Sequence, residues 1–129
     1  MGKIEANLEL AQCIEQCLNC YRTCLGMALN HCLERGGRHV APRHFRLMLN
    51  CAELCRTTAE FLLGGGSEQT KLCTACAEIC EACAQSCQEL EMAECARACR
   101  ACAESCRQMA TAGPAPERAA LLQPATTAQ

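Results

Sequence analysis

The chain has no tryptophan, one tyrosine (Tyr21) and two phenylalanines (Phe45 and Phe61) in 129 residues. So few rings remove the stacking platforms that hold single-stranded nucleic acid. A formal charge of −2 supplies no single-sign field to draw in a polyanion, so no nucleic-acid partner is expected. No apolar run reaches the ~18 residues of a membrane helix, and no membrane partner is expected. The opening stretch, MGKIEANLELAQC, lacks a basic region, an apolar run and a small-residue cleavage site, so no secretory leader is read there. Residue six is Ala6, where myristoylation needs Ser or Thr. No Ser–His–Asp set and no paired carboxylates with a pocket stand out, so no enzyme is expected. These absences set the expectation of a non-catalytic cytoplasmic domain.

Cysteine is what the chain has in excess, 16 of 129 residues. A small chain this rich in cysteine is usually a secreted disulfide framework. Without a leader, reduced thiols are expected instead, and clustered reduced thiols read as metal ligands or redox groups. The densest stretch, CTACAEICEACAQSC, carries Cys73, Cys76, Cys80, Cys83 and Cys87. Steps of three, four, three and four keep all five within an arc of roughly 80° on one helix face. That is the spacing of core-facing side chains.

The pattern repeats. Cys13, Cys17, Cys20 and Cys24 form CIEQCLNCYRTC; Cys76, Cys80, Cys83 and Cys87 form CAEICEACAQSC; Cys95, Cys99, Cys102 and Cys106 form CARACRACAESC. A degraded copy, CAELCRTTAEFL, keeps Cys51 and Cys55 but has Thr58 and Leu62 at its last two positions. Four copies on four helices predict an all-α, antiparallel four-helix bundle with a Cys-lined core over residues 1–112. The helices are expected at 5–33, 43–63, 67–89 and from about 94 to 112. Gly36, Gly37 and Pro42 mark the first break, the glycines at 64–66 the second, and Ser67 is the expected N-cap of the third helix. The third join, 88–94, has neither Gly nor Pro. Its step from Cys87 to Cys95 is out of phase with a heptad, which predicts a tight turn. Residues 113–129, rich in Ala, Pro and Thr, read as an irregular tail. On the first helix the thiol stripe extends to Met27 and His31, with Cys32 one position off it.

Packing alone is a poor account of the thiols, because a core of so many small side chains packs loosely. Disulfides within a helix are strained, since side chains at i and i+4 point the same way. Zinc wants closed sets of four ligands, and continuous rows leave most thiols in no distinct set. An iron–sulfur cluster uses loop-borne runs of a different spacing, and an iron–sulfur electron-transfer protein is the alternative reading. Copper(I) fits best: it is soft, prefers thiolate and thioether, and accepts few ligands, so a continuous lining can take up multiple ions per chain. Each ion also offsets thiolate charge that is costly to bury.

These repeated Cys blocks resemble the cytosolic members of the bacterial copper storage protein family, over roughly residues 5–110. The resemblance implies a bundle filled with copper(I), commonly a homotetramer, with His or Met ligands at an open end and an apolar opposite end. Up-down topology gathers Met27, His31, Cys32, His44, Met48, Cys87 and Met92 at one end, and Leu10, Phe61, Leu62, Leu63, Cys73 and Met109 at the other. His31, His44, Met48 and Met92 then carry two readings, a relay of weaker ligands into the thiols or gap-filling methionines and solvated histidines. Met27 and Met109 read as packing, and His39 as a surface residue.

Overall fold

The computed structural model describes residues 2–112, so the expected tail at 113–129 lies outside them. Four long helices carry the repeats: α1 (Gly2–Met27), α3 (Pro42–Gly64), α4 (Gln69–Glu89) and α5 (Ala93–Ala112). A short helix, α2 (Leu33–Arg35), extends α1 beyond a π-helical turn at Ala28–Cys32. The helices form a square in which α1 meets α3, α3 meets α4, α4 meets α5 and α5 meets α1. Contacts descend one helix as they climb the next: Cys20–Cys51 joins α1 to α3 and Cys32–His44 joins the π turn after α1 to α3, while Cys17–Cys106 and Cys24–Cys99 join α1 to α5. The bundle is therefore antiparallel throughout, as the repeats predict.

The connections follow from their residues. Gly36, with φ of 66°, ends α2, and Pro42 opens α3 where its missing N–H is not needed. Gly65 and Gly66, at φ of 75° and 103°, turn the chain toward α4. Ser67 is not the N-cap of α4. That position is Glu68, which makes no side-chain cap, and the Ser67 hydroxyl donates to Glu68 Oε2 at 3.2 Å instead.

The third connection is a turn without glycine. The Met92 N–H donates to the Cys87 carbonyl at 2.9 Å and the Glu91 N–H to the Gln88 carbonyl at 3.0 Å. This paired six-to-one and five-to-two arrangement is the Schellman closure of a helix C-terminus. It puts Glu91 in the left-handed position normally given to glycine, at φ of 58°. The turn restores the phase that the eight-residue step from Cys87 to Cys95 upsets.

All sixteen cysteines are fully buried, and all sixteen are free thiols. Alanines let the helices approach: Ala59, Ala84 and Ala103 are fully buried, with Ala52, Ala77 and Ala96 nearly so. Outside, Glu78, Glu81, Arg97, Arg100 and Glu104 are exposed as the repeat predicts, and Arg107 bridges Glu81 on α4 and Glu104 on α5. Exposed pairs like these contribute little, typically under about 1 kcal/mol.

Candidate metal centre

The interior thiols form a contact network rather than isolated rows. Beginning at the end where Leu10, Leu62 and Met109 are buried, the sulfurs of Cys13, Cys73 and Cys106 lie within 4.8 Å of one another. Three sets of four meet the same limit: Cys17, Cys76, Cys102 and Cys106; Cys20, Cys55, Cys80 and Cys102; Cys20, Cys24, Cys51 and Cys99. Cys106, Cys102 and Cys20 each belong to two sets, so the sets join. Continuous rows on single helices thus become overlapping groups of three and four thiols once the helices assemble. The spacing along one helix cannot reveal which sulfurs meet across the axis.

Beyond these groups the donors change. Cys83 and Cys87 direct their thiols at Met48 Sδ, at 3.9 and 3.3 Å. Cys32 lies 3.7 Å from His44 Nε2 and 4.0 Å from Met92 Sδ. Met48, Met92 and His44 are all buried. The other ring nitrogen of His44, Nδ1, is 2.7 Å from Ser86 Oγ. Ser86 carries no sequence signal beyond falling between thiols; only the fold brings it to His44. A cavity of about 200 Å³ reaches His44 and Ser86 from outside, bordered by Arg38 and Arg43.

The π turn decides which residue of α1 faces inward here. It adds one residue to a turn, so the buried sequence runs Cys24, Ala28, Cys32. Cys32, one position off a regular stripe, becomes fully buried. His31, expected on that stripe, is half-buried and packs edge-on against His39 at a ring separation of 5.1 Å. His39 in turn lies edge-on to His44 at 6.4 Å. His39 is thus not a plain surface residue but the link between the other two imidazoles. At the opposite end, Phe61 and Leu63 face outward at 44% and 57% exposure, and Leu10, Leu62 and Met109 are the buried apolar side chains there among the described residues.

Protonation follows from contact. Burial resists charge on any thiol, but a neighbouring S–H can donate to a thiolate. The Cys106 thiol beside Cys102 pulls Cys102 down, and Cys83 and Cys95 together do the same for Cys87. The donors shift the other way: Cys106 is pushed up by Cys102, and Cys95 by Cys24 and then Cys87. A cation that replaces the protons removes the cost of gathering several thiolates in one buried group. At the His–Met end, burial and then the Cys87 charge push Cys32 up, while burial pulls His44 down and keeps it neutral. A neutral imidazole has a lone pair to offer a metal.

A family model described as copper storage protein matches residues 6–111. The chain belongs to the copper storage protein family. The chain is similar to the uncharacterised cysteine-rich protein YhjQ of Bacillus subtilis (strain 168). It is 35% identical over 75 residues, covering 58% of this chain and 68% of YhjQ. A crystal structure of the Nmul_A1745 protein from Nitrosospira multiformis is similar to the four-helix bundle described here. The TM-score is 0.81 at 55% identity, over 82% of this chain and 98% of that one. Among the described residues no helix is long and apolar enough to cross a membrane.

Proposed function

We propose that this protein stores copper(I) in the cytosol, each chain taking up many ions on the thiolates of its sixteen cysteines. The observation that carries the reading is that all sixteen thiols are buried and free, most of them within contact distance of another sulfur. Copper(I) is the ion such a lining suits, since it needs few ligands and accepts shared ones. Membership of a storage family supports a reservoir rather than a catalyst.

The ligands are Cys13, Cys17, Cys20, Cys24, Cys32, Cys51, Cys55, Cys73, Cys76, Cys80, Cys83, Cys87, Cys95, Cys99, Cys102 and Cys106. Ions pass inward from the solvent-facing cavity at His44, through Cys32, Met92 and Met48, toward Cys87 and Cys83. His31 acts at the rim through His39. The storage unit is the bundle within residues 1–112, with the tail outside it. Copies of the chain associate as a homotetramer, which the half-buried Leu18, Tyr21 and Leu25 of α1 and Leu47 and Leu54 of α3 support as an apolar surface.

An anaerobic copper(I) titration of the reduced chain against a chromogenic competitor tests this. The expected result is colourless protein holding well over one ion per chain. Saturation at one ion, or a brown protein absorbing in the visible when purified in air, overturns it, the latter in favour of an iron–sulfur centre.

A further inference from the structure

The four thiols Cys20, Cys24, Cys51 and Cys99 differ from the other groups in regularity. Cys20 lies 3.8 Å from each of Cys24, Cys51 and Cys99. Cys24 lies 4.0 Å from Cys51 and 3.5 Å from Cys99, and the remaining pair is within 4.8 Å. A tetrahedron of sulfurs at the zinc–thiolate bond length of about 2.3 Å has edges of about 3.8 Å. Five of the six edges thus fall within 0.3 Å of that figure. An ion with two opposed ligands needs its sulfurs further apart than this, so such a group must open to suit copper(I) with two ligands.

We propose that Cys20, Cys24, Cys51 and Cys99 form a ready-made tetrahedral site for one divalent, thiophilic cation of the zinc class, occupied when copper is scarce and vacated as copper(I) enters. The four sulfurs come from α1, α3 and α5, so a single ion ties three helices of the square. No charged side chain of the described core stands beside them. Binding a doubly charged ion on four thiolates releases all four protons and leaves the group two charges negative, so uptake strengthens as pH rises. The site gives the copper-free protein a structural ion at the middle of a core whose small side chains otherwise hold it weakly. It rests on the thiols being reduced and convergent, not on the identity of the stored ion.

The test is an anaerobic titration of the reduced full-length chain with cobalt(II), followed by zinc(II). The expected result is one cobalt ion per chain with the strong visible absorption and sulfur charge-transfer bands of tetrahedral sulfur coordination, bleached by one equivalent of zinc. Cys99→Ser and Cys24→Ala should weaken that first equivalent at least tenfold, whereas Cys76→Ala, outside the group, should leave it intact. Helical circular dichroism confirms that each variant is folded. Cobalt that stays octahedral, or a first equivalent equally sensitive to Cys76→Ala, overturns the proposal. A copper(I) titration of the same samples keeps the two readings apart. Cys99→Ser should still take up many copper ions, and loss of that capacity alone would count against storage rather than against this site.

Discussion

At the scale of single residues, the donors next to the thiols separate ligands from bystanders. His44 touches Cys32 and is fixed by Ser86, whereas His31 reaches the thiols only through two other rings. Replacing His31, His44, Met48 and Met92 together is expected to slow copper(I) loading in stopped-flow while the final ion count barely changes. His44→Ala alone should account for more of the slowing than His31→Ala. His44 also makes the metal-free fold sensitive to acid. The folded state holds it neutral below its ordinary pKa, and the unfolded chain takes up a proton near about 6.5. As pH falls through that value the unfolded state binds a proton the native state does not, so stability is full above it and declines below it. Urea midpoints of reduced, metal-free protein should drop from neutral pH toward pH 5, and His44→Gln should flatten part of the slope. His39, also lowered by burial first, acts in the same direction. Glu91 stands in the left-handed region at φ of 58°. Glu91→Gly is expected to raise stability by about 1 kcal/mol in the same denaturation experiment.

At the scale of elements, the chain's helices and inward faces were legible because one residue type marks them. Every thiol on a three-four step is inside. The shares that could not be read have physical reasons. A π turn leaves no compositional mark, so Cys32 and His31 exchange places relative to a regular helix. The turn after α4 uses backbone hydrogen bonds around a glutamate where glycine is the usual signal. Phe61 and Leu63 are apolar but sit on the outer side of α3, which the bundle alone leaves exposed. Which sulfurs meet across the axis depends on helix register, and no single repeat records it. Deleting Asn30 removes the residue that the π turn accommodates, so a regular helix should form with Cys32 still on the inward stripe. A thiol reagent should then label no more cysteines in the native, metal-free protein than in the parent chain, and labelling of one would overturn this account of the turn.

For the whole molecule, the interior is built of side chains too small to hold it strongly. Stability should therefore depend on what is bound. A ligand that binds only the folded state adds about 2.7 kcal/mol at a free concentration a hundred times its dissociation constant. Copper loading should accordingly raise the thermal midpoint step by step, and stripping the metal with a strong chelator should return it to the starting value. A core of ordinary packing would show no such dependence.

One end of the square is sealed by Leu10, Leu62 and Met109, and the other opens beside His44. Entry beside His44, as proposed, would make such a well empty in the reverse of the order in which it fills. Ions taken in first, deepest beside Cys13 and Cys73, would then be held longest, and whatever is lent out again would leave from the top.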